Sequence, residues 1–466
     1  MSEQNYDLIV VGAGPGGYVA AIRAAQLDFS VAIIEKRETL GGVCLNEGCI
    51  PSKALLESSE QYYKVQNELA EHGIEILNST LKLEKMMARK EGIIKKLTSG
   101  ISGLMKKNKI TVVSGNASLA GKEGELHQVT VGEQTLAGKA VLLATGSEAI
   151  ELPHLKFDGE TVINARDALS LDAVPERLLV VGGGVIGLEM SSVWSRLGAE
   201  VTVVEMLPQL LPHTDSQLAQ MLQRSLKKQG LTIHLETKLE SLEKTDKGLL
   251  ATLTTKKGEQ KVLCDKVLVA TGRRAQTEGL GLEKVELQPN QQGQLDVDEN
   301  YQTSVPGIYA IGDLIDGPML AHKASEEGVV FAERLAGQKS EVNYGAIPNV
   351  TYTWPEVASV GRSEAGLKRD EIAYKSGKFL FAASGRALAS GSSDGFVKVL
   401  ATPDSGRILG IHIVGPHASE LIAEATTVLS FGGSIHDLAV TCHAHPTLAE
   451  AIKEAALAVN NEAIHG

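Results

Sequence analysis

Two cysteines, Cys44 and Cys49, are the residues of this sequence best suited to covalent chemistry. Four residues separate them, within the segment GGVCLNEGCIPSK. Cysteine thiolates ligate metals or exchange with disulfides. A zinc knuckle has two residues between its cysteines and two further ligands nearby, which this spacing does not match. In a regular helix the two Cα atoms would lie roughly 8.6 Å apart, which is too far for a disulfide.

The residues around the pair permit an irregular backbone. Gly41, Gly42 and Gly48 tolerate conformations that other residues avoid, and Pro51 has no backbone N–H to donate. Cysteines near the start of a helix gain thiolate character from the helix dipole. Two interpretations stay open for the pair: a redox-active disulfide, or two buried reduced cysteines.

The remaining cysteines indicate no second reactive centre. Cys264 lies in the apolar pattern KVLCDKVLVATG and is expected to be structural. Cys442 adjoins His443 and His445, but no fourth ligand follows at a fixed spacing, so we expect no metal site there. Of these two histidines, we expect His443 to be structural.

The elements that must position the cysteine pair begin with residues 6–36. This segment predicts a buried strand, a tight turn, a helix and a second strand that ends at Glu35. The turn carries Gly12, Gly14 and Gly17 in the pattern G-x-G-x-x-G. The first glycine allows the turn, the second lets the backbone approach a pyrophosphate, and the third lets helix and sheet pack closely. The carboxylate is expected to accept hydrogen bonds from ribose hydroxyls.

Residues 177–205 repeat the same pattern with Gly182, Gly184, Gly187 and Glu205. In both segments the acidic residue follows the first glycine by 23 positions. One such turn is weak evidence, whereas two with equal spacing strongly favour two dinucleotide sites over ordinary glycine-rich turns. The expected pair of cofactors is FAD with a nicotinamide. A carboxylate at the second site favours NAD, because it would repel a 2′-phosphate, and no arginine stands beside it.

Further patterns organise the rest of the chain. VLLATGS at 141–147 and VLVATGR at 267–273 each predict the last strand of a nucleotide-binding domain, and residues 81–109 predict a helix. GIYAIGD predicts another buried strand ending at Asp313, which is either a turn residue or functional. Residues 345–466 predict an α+β domain with strands at Ile372–Leu380, Phe396–Leu400 and Ile408–Val414 and helices at Ser419–Phe431 and Leu448–Asn460.

Composition narrows the class of protein. The 466 residues carry a net charge of −12 without a basic arm, so nucleic acid and anionic membranes are poor partners. Four cysteines are too few for a secreted disulfide scaffold, and no apolar run reaches the length of a membrane helix. The N-terminal segment shows neither a signal nor a transit pattern. We therefore expect a soluble cytoplasmic protein.

From end to end, the sequence resembles the pyridine nucleotide–disulfide oxidoreductases, and most closely their dihydrolipoamide-oxidising members. Two segments carry the resemblance: LGGVCLNEGCIPSK, whose ending distinguishes these members, and CHAHPTLAEAIKEAA near the C-terminus. The resemblance implies an α/β fold with two Rossmann-like domains and a C-terminal α+β dimerisation domain. The implied division is an FAD-binding domain at 1–148, an NAD-binding domain at 149–274, a central domain at 275–344 that completes the FAD site, and an interface domain at 345–466.

The resemblance also implies the activity and the partners. The reaction would be oxidation of protein-bound dihydrolipoamide to lipoamide, with NAD as acceptor, through FAD and a Cys44–Cys49 disulfide. The chain would form a homodimer and serve the lipoyl domains of a 2-oxo acid dehydrogenase complex or a glycine cleavage system. The alternatives are a glutathione- or mercuric-reductase-like enzyme, and a non-catalytic FAD- and NAD-binding redox sensor.

A larger set of cofactor-binding residues follows from the resemblance alone. Lys53 would lie at the flavin and pair with Glu189, and Asp313 would hold the ribityl chain. The other residues implied at FAD are Lys36, Gly42, Gly115, Thr145, Gly146, Ser147, Met319, Leu320, Ala321 and His322, and those implied at NAD are Ile186, Leu239 and Gly272.

The same resemblance assigns His445 as the catalytic base, supplied by the other subunit. A neutral thiol exchanges slowly, so the substrate needs a base whose pKa lies near the working pH. We expect Glu450 to orient the imidazole. Thr447 and Glu450 also form a capping-box pattern, so whether the Glu450 carboxylate orients the imidazole, reaches back to the N-cap amide or does both stays open. The thiolate formed would attack Cys44 and leave a Cys49 thiolate against the flavin.

Three positions depart from the family pattern. Val43 stands where threonine is usual, Trp354 where histidine or a carboxylate is common, and AASGRA occupies residues 382–387. None of them is a redox cysteine or the expected base. We expect them to affect substrate preference and partner contacts rather than the reaction.

Overall fold

The computed structural model describes residues 5–466 and divides them into two compact units. Unit 1 comprises the chain up to Leu55 together with Lys82–Ile150 and Gly272–Val342. Unit 2 comprises Leu56–Leu81, Glu151–Thr271 and Asn343–Gly466. No helix within residues 5–466 is both long enough and apolar enough to cross a membrane.

The helices follow one another along the chain with these bounds: α1 Pro15–Gln26, α2 Gly42–Glu47, α3 Cys49–Asn67, α4 Leu83–Lys107, α5 Ala165–Ala168, α6 Val185–Arg196, α7 Ser216–Lys228, α8 Ala321–Leu335, α9 Glu364–Arg369, α10 Gly385–Ala389, α11 Ala418–Ser430, α12 Ile435–Val440 and α13 Glu450–Ala458.

The strands have these bounds: β1 Asn5–Val11, β2 Val31–Glu35, β3 Thr111–Ser114, β4 Ala117–Glu123, β5 Leu126–Val131, β6 Gln134–Leu143, β7 Ser147–Ala149, β8 Val162–Ile163, β9 Arg177–Val181, β10 Glu200–Val204, β11 Thr232–His234, β12 Lys238–Thr245, β13 Gly248–Thr255, β14 Gly258–Cys264, β15 Lys266–Val269, β16 Arg273–Ala275, β17 Ile308–Ala310, β18 Asn349–Thr351, β19 Glu356–Gly361, β20 Lys375–Leu380, β21 Phe396–Ala401 and β22 Ile408–Gly415.

Unit 1 is built on a sheet in the order β3-β2-β1-β6-β5-β4, with β17 paired to β6. The strands β3, β2, β1, β6 and β17 run parallel, whereas β5 and β4 continue the sheet as an antiparallel extension. Because parallel strands end at one edge, the residues that follow β1, β2, β3, β6 and β17 meet there. That edge is where the sequence places most of its glycine and acidic candidates.

Small residues let α1 lie close to the sheet and to α8. Ala20, Ala21 and Ala24 are fully buried. A Cβ atom at Gly17 would overlap the Gly12 carbonyl oxygen. A Cβ atom at Gly328 would come within 2.6 Å of the Gly16 carbonyl oxygen. The helix is therefore held by backbone-to-backbone approach that larger side chains would prevent.

Unit 2 contains a second parallel sheet in the order β11-β10-β9-β15-β8 and an antiparallel sheet of β12, β13 and β14. It also contains an antiparallel sheet in the order β18-β19-β22-β21-β20, whose core includes residues of α11, α12 and α13. Cys264 is buried at the end of β14, as expected for a structural cysteine.

The mixed α/β fold class is confirmed, and several expected elements differ from the observed ones at their boundaries. The expected helix at 81–109 is α4, whereas the strand expected from Ile372 begins at Lys375 because the turn after α9 occupies the preceding residues. The helix expected from Leu448 begins at Glu450. No expected element corresponds to α12, although its N-cap Ser434 and Asp437 in its first turn form a reciprocal capping box.

We expect the Gly17→Ala variant to be less stable than the wild-type protein by about 1–3 kcal/mol, because its Cβ overlaps a backbone carbonyl that cannot move freely. Gly92→Ala on α4 is the matched control, since nothing lies within 4 Å of a Cβ atom there. It should stabilise the protein by up to about 1 kcal/mol. Denaturant unfolding measures both, and equal effects would contradict the packing argument.

Candidate redox and dinucleotide sites

Cys44 and Cys49 lie in unit 1 on either side of a break between two helices. Cys44 is within α2, and Cys49 is the first residue of α3. Gly48 lies between the helices with φ −141° and ψ −108°, so the chain does not continue as one helix. The two half-buried free thiols are joined by a hydrogen bond. The expected irregular path is therefore confirmed, and it brings the side chains together.

The hydrogen bond decides which sulfur ionises first. It raises the pKa of the Cys44 thiol well above its usual range, because Cys44 donates to Cys49, and burial raises this pKa further. Lys53, one turn further along α3, acts in the opposite direction. When one proton is lost from the pair, the thiolate therefore resides on Cys49, at the N-terminus of a 19-residue helix.

The first glycine turn holds its carboxylate by two backbone hydrogen bonds. The N–H of Ala13 donates to Glu35 Oε2 at 2.9 Å, and the N–H of Arg37 donates to Oε1 at 3.0 Å. Gly12 has φ +101°, and a Cβ atom there would overlap the Ala144 carbonyl oxygen. No side chain caps α1, so the N–H groups of its first turn point to an open end.

The second turn repeats this geometry in unit 2. The N–H of Gly183 donates to Glu205 Oε2 at 2.7 Å, and the N–H of Leu207 donates to Oε1 at 2.8 Å. Gly182 has φ +113°, and a Cβ atom at Gly187 would overlap the Gly182 carbonyl oxygen. No side chain caps α6. The equal sequence spacing of the two segments therefore corresponds to equal local structure.

Hydrogen bonds link residues that follow β6 and β17 in unit 1 with residues of the segment around β16. Thr145 donates to the Gln276 carbonyl oxygen at 2.7 Å, and the Ser147 hydroxyl donates to the Asp313 carboxylate. The guanidinium of Arg273 donates to Ser147 Oγ at 2.8 Å and to its carbonyl oxygen at 2.6 Å. Arg273 was not among the expected site residues, although the repeated Ala-Thr-Gly pattern ends at this residue.

The other expected FAD residues also lie in unit 1. Gly115 follows β3 with φ +143°, and its N–H donates to the Glu35 carbonyl oxygen at 2.9 Å. Gly42 begins α2, where a Cβ atom would lie 2.5 Å from the Cα of Gly14. The remaining residues are Lys36 and Gly146, which follow β2 and β6, and the run Met319, Leu320, Ala321 and His322, which opens α8.

The expected NAD residues are divided between the units. Ile186 lies on α6 and Leu239 is buried in the core of unit 2, whereas Gly272 lies in unit 1. Glu189 is buried on α6, where its Oε1 accepts from the Tyr352 N–H at 3.0 Å. The pairing of Glu189 with Lys53 would connect the two units and stays a prediction.

The C-terminal histidine is oriented by a carboxylate. His445 Nδ1 lies 2.9 Å from Glu450 Oε1, and Glu450 Oε2 accepts from the Thr447 N–H at 2.8 Å. These two hydrogen bonds, the one from Thr447 above all, lower the pKa of Glu450 and keep it ionised. The imidazole is 79% exposed, so its other nitrogen faces away from the carboxylate toward solvent. A histidine held in this way can accept a proton at Nε2.

The capping box expected at Thr447 is only half formed. Glu450 fills its part, but the Thr447 hydroxyl donates to the Ala444 carbonyl oxygen, and α13 has Ala449 at its N-cap. The full box is therefore a wrong prediction, because the chain makes a separate turn before the helix begins. His443 is 6% exposed and its Nε2 lies 2.7 Å from Glu424, which agrees with a structural role.

Comparisons with known proteins agree with this geometry. Residues 6–328 match the model of the pyridine nucleotide-disulphide oxidoreductases, and residues 347–456 match the dimerisation domain of these enzymes. The chain belongs to this family. It is 46% identical over 467 residues to the mitochondrial dihydrolipoyl dehydrogenase 1 of Arabidopsis thaliana, with 100% of this chain and 92% of the relative covered.

A bacterial relative and a solved structure are similar over their full lengths. The dihydrolipoyl dehydrogenase of Cupriavidus necator is 46% identical over 474 residues, with 100% of each chain covered. The crystal structure of LpdA from Mycobacterium tuberculosis superposes with a TM-score of 0.89 at 28% identity, covering 96% of this chain and 98% of that one.

Pyridine nucleotide-disulphide oxidoreductases of this kind use FAD and NAD(H). The residues of both turns fit a dinucleotide. Each turn has a glycine where a Cβ atom would overlap backbone, an uncapped helix N-terminus that suits phosphate, and a carboxylate fixed beside them. At the second turn, the carboxylate of Glu205 suits the 2′-hydroxyl of NAD.

Two departures from the family pattern have local partners in unit 2. Trp354 lies with its ring 5.0 Å from the Lys64 ammonium and edge-on to His417, and its carbonyl oxygen accepts from Gln229 at 2.6 Å. Within residues 382–387, Ser384 caps α10. Val43, the third departure, lies within α2 beside Cys44.

The order of ionisation can be measured. In the reduced Cys49→Ala variant, the acceptor that raises the pKa of Cys44 is lost, so this pKa should fall towards the ordinary value. The midpoint of the pH profile for iodoacetamide alkylation of Cys44 should then lie lower than in the reduced wild-type protein. The Cys264→Ser variant serves as the control, because the pKa of that buried thiol, about 12, keeps it out of the alkylation range. An unchanged midpoint would contradict the assignment.

The second turn can be tested through NADH. Replacing Glu205 with glutamine removes the charge that suits the ribose hydroxyls while retaining a similar shape. We expect the KM for NADH to rise by about tenfold with little change in kcat. The flavin should remain bound, since Glu205 lies at the other dinucleotide turn. Loss of flavin, or an unchanged KM, would contradict this separation of the two sites.

Proposed function

We propose that this protein is an NAD-dependent oxidoreductase that converts protein-bound dihydrolipoamide to lipoamide through a Cys44–Cys49 disulfide and FAD. One observation carries the proposal. A paired dithiol lies at the start of a helix beside a dinucleotide turn, in a chain whose relatives over full length are named dihydrolipoyl dehydrogenases. The Cys44–Cys49 pair and the hydrogen bond between His445 and Glu450 favour an enzyme over a redox sensor.

The chain's own residues account for the sulfur chemistry. His445 Nε2 accepts the proton of one substrate thiol, and the resulting thiolate attacks Cys44 Sγ. The Cys44–Cys49 bond breaks, and Cys49 leaves as the thiolate. The second substrate sulfur then attacks the substrate sulfur of the mixed disulfide, which breaks the bond to Cys44 and releases lipoamide. Cys44 leaves as a thiol with the proton that His445 held, and His445 takes up the proton of the second substrate thiol.

The raised pKa of Cys44 is consistent with this division of roles. Cys44 accepts the new bond and returns as the protonated thiol, while Cys49 holds the negative charge. Bound FAD supplies the route by which the electron pair reaches NAD. We assign Arg273 to the same region, since its guanidinium interacts electrostatically with both Asp313 and Cys49.

The residue assignments of the two cofactor sites are part of the proposal. Glu35 and Glu205 would bind the two riboses, Lys53 and Glu189 would lie at the flavin, and Asp313 would hold the ribityl chain. The chain would be organised as the four segments 1–148, 149–274, 275–344 and 345–466. The remaining assignments follow the resemblance: Gly12, Gly14, Gly17, Lys36, Gly42, Gly115, Thr145, Gly146, Ser147, Met319, Leu320, Ala321 and His322 at FAD, and Gly182, Gly184, Ile186, Gly187, Leu239 and Gly272 at NAD.

We further propose a homodimer in which each active site takes His445 from the partner subunit. The match of residues 347–456 to a dimerisation domain supports the assembly. The exposed imidazole of His445 supports a base that acts at the active site of the partner subunit. As substrates we propose the lipoyl domains of a 2-oxo acid dehydrogenase complex or of a glycine cleavage system, in the cytoplasm, in line with the bacterial relative.

His445→Gln should reduce lipoamide-dependent turnover by about 10²–10⁴-fold, because the substrate thiol then loses its proton acceptor. The flavin should remain bound with an unchanged absorption spectrum. His465→Gln is a matched control, since His465 is also exposed and also lies 2.8 Å from a glutamate, Glu454. Steady-state NADH oxidation measures both variants. Wild-type turnover in His445→Gln would contradict the role of the base.

The choice of substrate is tested by NADH oxidation with lipoamide, glutathione disulfide and mercuric ion as separate acceptors. We expect lipoamide to give a kcat/KM at least 10²-fold higher than either of the others, because a site that fits one disulfide leaves polar groups unpaired with another. A preference for glutathione disulfide or mercuric ion would support those alternatives. A single reduction of the flavin without turnover would indicate a sensor.

A further inference from the structure

An ion pair within unit 1 is completely buried. Lys323 and Glu327 lie one turn apart on α8, with Nζ 3.1 Å from Oε1, and neither side chain is exposed. Removing two charges from water is costly, and apolar residues of similar volume often give equal or greater stability. We therefore expect the Lys323–Glu327 pair to have a role other than stabilising the fold.

Both charges bind the backbone of one residue, Gly312. Lys323 Nζ donates to the Gly312 carbonyl oxygen at 3.1 Å, and the Gly312 N–H donates to Glu327 Oε2 at 2.8 Å. Gly312 lies two residues after the end of β17 and has φ +73°, in the left-handed region. The ion pair thus satisfies both backbone groups of a residue that has left its strand.

The next residue is Asp313, which is held from a second direction. Its Oδ2 accepts from the Ser147 hydroxyl, and Ser147 in turn accepts from Arg273. Within residues 5–466, its Oδ1 makes no hydrogen bond. The carboxylate is therefore fixed at one oxygen and available at the other, at the edge of the sheet where the first dinucleotide turn lies.

We infer that Lys323 and Glu327 are positioning residues, which hold the Asp313 carboxylate for the flavin by fixing the backbone of Gly312. This inference rests on the proposed role of Asp313 at the ribityl chain. An apolar pair would fill the same volume, but the Gly312 N–H would lose its partner and the Gly312 carbonyl oxygen would keep only the hydrogen bond from the Ile315 N–H at 3.3 Å. The turn at Gly312 would then shift, and Asp313 would lose its position although α8 stays folded.

A mutant cycle on the full-length holoprotein tests the inference. The variants are Asp313→Asn, the double variant Lys323→Met/Glu327→Leu, and all three changes together. The measurement is the rate of FAD release, followed by flavin fluorescence, with the fine structure of the bound flavin absorption as a second readout. We expect Asp313→Asn and the double variant each to accelerate release by about tenfold or more. We expect the combination to be no faster than the faster of the two, because the pair acts through Asp313.

The control is a buried ion pair elsewhere in the chain. Lys398 lies 2.9 Å from Asp215 in unit 2, with both side chains no more than 3% exposed. Lys398→Met should lower the melting temperature while leaving FAD release within about twofold of the wild-type rate and the flavin spectrum unchanged. If it accelerates release as much as the double variant, the effect is one of general stability and the inference is wrong.

The remaining outcomes separate this inference from the proposed function. Multiplicative acceleration in the combined variant overturns the inference alone, because the pair then acts independently of Asp313. Unchanged release in Asp313→Asn overturns the role of Asp313 and the inference with it. Should the double variant not fold, Lys323→Met/Glu327→Gln replaces it, since its amide oxygen still accepts from Gly312 and no charge is left buried. In that background the Lys323 hydrogen bond to the Gly312 carbonyl oxygen is the contact that is lost, so release at the wild-type rate contradicts the positioning role of Lys323.

Discussion

The structure depends on the close approach of backbone to backbone at the two glycine turns. At Gly17 and Gly187, a single methyl group would overlap the carbonyl oxygen of the first glycine in the turn. This approach places an uncapped helix N-terminus at the end of a parallel strand, and the carboxylate of the next strand binds the turn. A phosphate-binding end and a ribose-binding carboxylate are thereby fixed together, twice in one chain.

The cysteine pair depends on a different feature, the break between α2 and α3. A continuous helix would hold the two sulfurs apart, whereas the break at Gly48 brings them into contact and leaves Cys49 at a helix N-terminus. The same pair is then asymmetric, because one thiol donates to the other. This asymmetry follows from position alone, since both residues are cysteines with similar burial.

Some of the site could be read from the sequence because it is local. The glycines, the acidic residues at equal spacing and the cysteine pair each act within about 30 residues, and their patterns predict strand, turn and helix directly. Arg273 and the Lys323–Glu327 pair could not be found in this way. Arg273 binds Ser147, which lies 126 residues away along the chain, so no local period encodes that contact. Lys323 lies close to Gly312 in the sequence, but a lysine in a helix ordinarily indicates an exposed face.

The sequence by itself determined the two dinucleotide folds, the position of the reactive cysteines and the family, because each depends on short-range backbone requirements that only certain residues meet. Only the tertiary structure decided which cysteine keeps its proton, that one carboxylate serves both His445 and the Thr447 backbone, and that a buried ion pair binds Gly312. These outcomes depend on hydrogen bonds and burial, which arise when distant segments pack and water is excluded.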